Sequence, residues 1–288
     1  MLTLPKENLI MKNKWKRLTA LLLIALCTLS GFAPVQASAV NQSDYSPVFD
    51  ANYYYNTYED LQQNIGSDPA ALLNHFITIG MKEGRSGNAL FNVKAYMNNN
   101  LDLLPVYGAK DLSGYYYHYI TCGRQEGRSA VFKAGSELPA GTLSTYSTVY
   151  DVTEDRAVNV ELAASKINGL TIAPGEKFSF SNSIGSRTIA NGYVVAPSFA
   201  SGRIVSSVGG GICQVSSTIY VTMLLAGIAP TQRYAHSLPV DYVPAGLDSA
   251  IVEGYKDLTF TNNFDFSIII NATVQNGVLT VTFTQQTA

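Results

Sequence analysis

Charge is scarce in this chain. Only 14% of its 288 residues are Asp, Glu, Lys or Arg, with 19 basic against 21 acidic. No basic surplus is present to track a phosphate backbone, so nucleic acid is excluded as an expected partner. Cysteine and histidine are also rare, at three residues each. Cys27 lies in the N-terminal segment, and Cys122 with Cys213 is too small a set for a disulfide-stapled scaffold. His236 has no second histidine near it in sequence, so neither a zinc site nor any other metal or cofactor is expected. An uninterrupted apolar run of membrane-spanning length, about 20 residues, is missing as well. What is present in quantity is apolar residue (47%) and tyrosine, 18 in all. That is enough for a packed core, and the tyrosines suit a wet surface where an aromatic body packs and a hydroxyl stays hydrated.

The N-terminus reads as an export signal. Lys12, Lys14, Lys16 and Arg17 precede a short apolar run from Leu18 to Ala33, and Ala37-Ser38-Ala39 supplies small residues for cleavage. Met11 is an alternative start, and an uncleaved anchor is the competing reading. Leu26 stands before Cys27 where a lipid-attachment signal needs a small residue, so no lipid anchor is expected. Loss of residues 1–39 removes five Lys/Arg and one Glu, leaving 14 basic and 20 acidic residues, net −6. The mature chain is therefore expected outside the cell, without a stable membrane span.

Residues 46–130 contain an internal repeat of about 42 residues. Phe49 corresponds to Phe91, Tyr54 to Tyr96, Asp60-Leu61 to Asp102-Leu103, and Gly66 to Gly108. After a one-residue insertion, His75 corresponds to His118, Gly80 to Gly123, and Glu83-Gly84-Arg85 to Glu126-Gly127-Arg128. Each unit reads as short helices closed by a Gly-Arg turn, and two units together can bury an apolar face that one alone cannot. The paired histidines fit packing better than metal ligation, since no cysteine or carboxylate cluster accompanies them. Cys122 aligns with Ile79, so an apolar residue serves there equally well and the thiol reads as buried. The units resemble Tyr-rich repeats of exported bacterial surface proteins that end in Gly-x-x-Glu-Gly-Arg. That resemblance implies a spacer or attachment role.

Residues 131–141 read as a linker, and residues 142–288 as a mixed domain. Thr142 to Tyr150 has strand-like content. Glu154 to Asn168 is helical, with Val158, Leu162, Ala163 and Ile167 near one face. Strands are expected at Leu170–Ile172, around Phe178 and Phe180, at Val194–Phe199, Ala250–Glu253, Leu258–Phe260 and Ser267–Val274. Asn276-Gly277 is a hairpin turn into Val278–Phe283. The fold class is thus α+β: a small all-α repeat region, then a mixed domain with a central Cys-bearing helix and several strands.

The element with chemical potential is Gly209-Gly210-Gly211-Ile212-Cys213-Gln214-Val215-Ser216-Ser217. Three glycines permit a tight loop, and Val215, Ile219, Met223 and Ala226 then share a helical face ending at Gly227. Cys213 falls in the first turn, where free N–H groups and the dipole favour a thiolate and can hold an oxyanion. His236 follows in Arg233-Tyr234-Ala235-His236-Ser237, before an extended run from Leu238 to Val243, and Asp248 comes after Pro244-Ala245-Gly246. Cysteine on a helix start, then histidine, then aspartate, is the order of a thiol nucleophile, a base and an orienting carboxylate. Papain-like and transglutaminase-like enzymes share that layout as a fold-level analogy. Gly209, Gly210, Gly211, Gln214, Ser216, Ser217 and Arg233 are the candidate binding residues around it. The same pattern also fits plain packing around an inert cysteine. A Cys122–Cys213 disulfide is a further alternative, since an oxidising compartment allows it.

The segment from about Asn159 to Asn271 resembles the VanW family of exported bacterial proteins. The resemblance rests on Leu162-Ala163-Ala164 with Ile167-Asn168-Gly169, on Pro174-Gly175-Glu176-Lys177-Phe178-Ser179-Phe180, and on Gly185-Ser186-Arg187-Thr188. Gly192-Tyr193, Gly209 to Tyr220, His236-Ser237, Tyr242-Val243-Pro244, Asp248 and Asp257-Leu258 complete it. Leu247 departs from the pattern, since the family often has Arg before this aspartate. The family takes its name from an accessory position in glycopeptide-resistance gene clusters and is often joined to envelope-binding modules. The resemblance therefore implies a cell-envelope protein whose partner is a cell-wall polymer or peptide. Two functions fit: a cysteine-dependent peptidase or acyltransferase acting on peptidoglycan peptides, or a non-catalytic wall-binding or scaffold protein.

Overall fold

A computed structural model describes residues 42–108, 111–132, 138–200 and 202–286. The expected signal peptide, residues 1–39, and much of the expected linker lie outside the described residues. The architecture is α+β, as the sequence predicts, and its sheets are antiparallel.

From Thr142 onward the elements run β1 (Thr142–Val149), α1 (Arg156–Ile167), β2 (Leu170–Ile172), β3 (Lys177–Ser179) and α2 (Phe180–Ile184). Then follow β4 (Val195–Ala200), β5 (Arg203–Val208), α3 (Ile212–Leu225), β6 (Pro230–Gln232), β7 (Thr259–Thr261), β8 (Ile268–Gln275) and β9 (Val278–Gln285). One sheet has the order β1-β9-β8-β2, a second β3-β7-β6, and β4 and β5 form a hairpin apart from both. The β8–β9 turn is Asn276-Gly277, both at positive φ, which fixes the register Gln275↔Val278.

Alternation along β9 buries Leu279, Val281 and Phe283 and turns its threonines the other way. Thr282 and Thr280 meet Thr145 and Ser147 of β1 in cross-strand hydroxyl pairs of 2.9 and 2.8 Å. Helix α1 buries Ala157, Val160, Ala163, Ala164 and Ile167, whereas Val158 is 47% exposed. The 3–4–3 spacing of 157, 160, 164 and 167 sets the inner face, so Val158 falls outside the face expected for it. Phe178 and Phe180 are both buried, but only Phe178 is in a strand. Phe180 opens α2, because Ser179 caps that helix by accepting from the Asn182 N–H at 3.2 Å. No strand forms at Ala250–Glu253, where a single bridge joins Val252 to Lys256. Residues 238–243 likewise form no strand.

Helix α3 is the axis of the molecule. Val215, Ile219 and Met223 enter the core built from both larger sheets and α1. Val221, Leu224 and Leu225 enter a second core with Tyr54, Leu72, Phe76, Phe91, Tyr96 and Tyr116 from the preceding helices. Ser144 donates to the Thr222 carbonyl at 2.8 Å, and the Thr148 and Thr218 hydroxyls pair at 2.9 Å, so the buried polar groups between β1 and α3 are satisfied.

The helical layer uses the same contacts twice. The hydroxyl of Tyr54 meets His75 Nδ1 at 3.0 Å, and that of Tyr96 meets His118 Nδ1 at 2.7 Å. Each histidine leads into a π-helical turn, Phe76–Gly80 or Tyr119–Gly123. A Cβ on Gly80 or Gly123 would collide with the tyrosine hydroxyl. Arg85 pairs with Asp60 and Glu83 at 2.8 and 2.7 Å, and Arg128 pairs with Asp102 at 2.8 Å and with Glu126. Cys122 is buried in this layer. Among the described residues no helix is long and apolar enough to cross a membrane.

Candidate functional site

The glycine loop is built by three different constraints. Gly209 and Gly211 have φ of 83° and 104°, a region that disfavours any side chain. Gly210 has no such φ; a Cβ there would collide with the backbone carbonyls of Ala196 and Pro197 on β4. The loop is thereby pressed against the β4–β5 hairpin and delivers Cys213 into the first turn of α3. The Ile212 and Gln214 N–H groups turn back to the Gly209 and Gly211 carbonyls at 3.4 and 3.0 Å. That of Cys213 has no backbone acceptor among the described residues.

Cys213 is a free thiol, partly exposed, so the Cys122–Cys213 disulfide does not form. Its sulfur accepts from the Ile251 N–H at 3.4 Å. His236 stands beside it. The ring Nδ1 lies 2.7 Å from Asp248 Oδ2, and the His236 backbone N–H donates to the same oxygen at 2.6 Å. Arg233 holds the carboxylate from behind, with Nη2 donating to Oδ1 at 2.9 Å and Nε donating to the Asp248 carbonyl at 2.6 Å.

The electrostatics follow from these contacts. Burial works against a charged His236 ring, but the Asp248 carboxylate and the neighbouring Cys213 sulfur outweigh it and push the imidazole up to about 9. Burial would likewise raise Asp248. The two hydrogen bonds from His236 and the Arg233 guanidinium reverse that and hold it below the usual carboxylate value. At neutral pH the site therefore holds an imidazolium beside a carboxylate.

An open cleft of about 1020 Å³ lies over Cys213 and His236. Its floor is the glycine loop, and one wall is the β4–β5 hairpin with Phe199, Ile204 and Val208. The Phe199 ring meets His236 edge to face, 6.0 Å between centroids. Arg156, Arg187, Asp241, Tyr242 and Glu253 also line the cleft.

The structure brings Cys213, His236 and Asp248 together, and it places Gly209, Gly210 and Gly211 on the cleft. The other expected binding residues lie elsewhere. Gln214 is fully buried, donating to Thr148 Oγ1 and the Val149 carbonyl at 3.0 and 2.9 Å. Ser216 and Ser217 are fully buried too. Ser216 donates to the Ser249 carbonyl at 2.7 Å, while Ser217 donates to the Cys213 carbonyl at 2.7 Å and accepts from the Ser249 N–H at 2.8 Å. They tie the Asp248–Ser249 strand of chain to the Cys213 turn. Arg233 sits behind Asp248 and over the Tyr220 ring at 5.1 Å. The hairpin wall, Arg156 and Tyr242 were absent from the expected site. Arg187 and Tyr242 carried a signal only as members of recognisable short motifs, and Arg156 carried none.

A free thiol at a helix start, backed by a histidine held by a buried aspartate under an open cleft, defines a cysteine–histidine–aspartate site in an α+β scaffold. Residues 155–284 match the family model described as VanW like protein, so the chain carries a VanW-family domain. Among curated relatives, the chain is 37% identical over 155 residues to the uncharacterized protein YoaR of Bacillus subtilis, 52% of this chain and 51% of that one. It is 30% identical over 141 residues to the vancomycin B-type resistance protein VanW of Enterococcus faecalis, 46% of this chain and 51% of that one. The chain thus spans about half the length of the curated relatives it matches. No solved structure matches it.

Proposed function

We propose that this VanW-family protein is exported to the cell envelope and acts there as a cysteine-dependent peptidase or acyltransferase on cell-wall peptides. The observation that carries the reading is His236 Nδ1 held 2.7 Å from a buried aspartate while the ring stands beside a free, cleft-lining thiol. The Cys213 thiolate attacks an amide carbonyl, and a C–S bond forms as the tetrahedral oxyanion collects on first-turn N–H groups. His236 gives its proton to the departing amine as the C–N bond breaks. Water or a second amine then attacks the thioester, His236 takes up its proton, and the C–S bond breaks to release the Cys213 thiolate beside the imidazolium. Export is supported by the lysine-rich, apolar, small-residue order of residues 12–39. A wall target, and an accessory part in glycopeptide resistance, are supported by the resistance function in the name of the Enterococcus relative.

Residues 46–130 are read in the same proposal as two copies of one helical unit serving attachment, followed by a functional domain from residue 142. The support is the twofold use of the Tyr–His, Gly and Arg–Asp contacts. The test compares the protein and its Cys213→Ala variant on peptidoglycan fragments, by mass of products, with co-sedimentation on whole cell walls in parallel. Loss of processing with sedimentation retained is the expected result. Equal processing by both, or no processing with equal sedimentation, overturns the catalytic role and leaves the wall-binding reading.

A further inference from the structure

Arg85, Arg128, Arg187 and Arg233 each pair with a carboxylate. Arg156 makes no ion pair among the described residues, although it lies on the cleft wall beside the Cys213 turn. Its placement is fixed. Nη2 donates to Gln214 Oε1 at 2.8 Å, and Gln214 is fully buried and locked to β1 through its own amide. The guanidinium lies 5.9 Å from the Tyr242 ring centroid, and the arginine's Cβ packs where Gly211 has no side chain. The neutral amide takes one N–H direction, and the others have no protein acceptor among the described residues. The remaining N–H groups of this half-buried, pre-positioned cation stand on the open cleft next to the nucleophile, where a ligand carboxylate can take them. Glu253, which also lines the cleft, is engaged by Arg187 at 3.6 Å.

From this juxtaposition we infer that Arg156 is the recognition residue for a substrate carboxylate, so the cleft accepts peptides by a free carboxylate close to the carbonyl that Cys213 attacks. This inference rests on the nucleophile reading of Cys213 and narrows it: the enzyme works at or near a chain end bearing a carboxylate, not in the middle of a neutral peptide. Arginine suits the role because its planar fork meets both carboxylate oxygens.

The experiment measures alkylation of Cys213 in the intact protein, by peptide mass mapping, with iodoacetate and iodoacetamide. In both reactions the sulfur displaces iodide, and only the reagent's charge differs. The ratio of the iodoacetate rate to the iodoacetamide rate is expected to fall roughly tenfold in Arg156→Gln, as loss of one charge-assisted contact implies, and to fall less in Arg156→Lys. N-acetylglycine slows alkylation of the unaltered protein, and N-acetylglycinamide does not. The His236 cation is common to every variant, so the difference isolates Arg156. An unchanged ratio in both variants, or equal protection by the two glycine compounds, overturns the inference while leaving Cys213 reactive. Inertness of Cys213 to both reagents overturns the nucleophile reading itself, and this inference with it.

Discussion

His236 and His118 are both buried against aromatic or acidic neighbours, yet they titrate in opposite directions. For His236 the Asp248 carboxylate and Cys213 sulfur overcome burial and raise the ring to about 9. For His118 burial dominates, the Arg128 charge adds to it, and the ring is lowered. A raised histidine stabilises the fold fully below its ordinary value of about 6.5. That contribution is lost as pH climbs through about 9. A lowered histidine does the reverse, and the fold weakens as pH falls below about 6.5. A proton NMR titration should therefore show a His236 midpoint near 9 that drops clearly in Asp248→Asn, and a His118 midpoint below the ordinary value. Coincident midpoints near 6.5 would contradict both assignments. Under the proposed reaction, processing of wall fragments should decline on the same alkaline limb, as the His236 imidazolium available to protonate a leaving amine disappears. At this scale the sequence was informative about type and order: cysteine, histidine and aspartate were legible as a set. Nothing in it distinguished Ser216, Ser217 and Gln214, which face inward, from residues that face the cleft. Inward and outward positions at a helix start are separated only by what packs over them, here Ser249 and β1.

The glycine loop was legible as an element, but only part of its reason was. Turn geometry accounts for Gly209 and Gly211, whose φ is positive. Gly210 is required by a contact with β4 that joins residues distant enough in sequence to leave no local pattern. Replacing it should thus be harmful without any backbone strain of its own. Gly210→Ala is expected to cost about 1–3 kcal/mol through overpacking against the Ala196 and Pro197 carbonyls. It should also slow alkylation of Cys213, because the displaced loop carries the thiol. Thermal unfolding and the iodoacetamide rate, measured on one preparation, check this. A variant as stable and as reactive as the parent would mean that the loop does not touch the hairpin. The hairpin itself was half legible. β4 was expected, whereas β5 was missed, since Arg203-Ile204-Val205-Ser206-Ser207-Val208 leaves its apolar Ile204 and Val205 exposed instead of alternating into a core. Residues 250–253 failed in the opposite way. Their apolar content serves the Cys213 contact through the Ile251 N–H and the core through its side chain, with no partner strand.

At the scale of the whole molecule, α3 has two buried faces, and a reading that divides the chain at a linker assigns only one of them. Leu247 shows the consequence. It stands directly before Asp248, and it is fully buried in the core shared with the helical layer. The adjoining Gly246 packs against Pro105, so the loop that presents the aspartate is pinned between α3 and the helices. Val243 joins the same core. The helical layer is therefore a structural support of the site, whatever it binds outside. Leu247→Ala should destabilise the protein by roughly 2–5 kcal/mol, the range for emptying a buried leucine site. It should also lower the His236 midpoint, because the Asp248 loop loses its anchor. A chain reduced to residues 138–286 would uncover Val221, Leu224, Leu225, Val243 and Leu247 together, an apolar patch of a kind that soluble monomers seldom show. Sedimentation velocity on that fragment should show association or aggregation. A monodisperse monomer with the parent's His236 midpoint would mean that the second face of α3 is dispensable and that the site is complete without the helices.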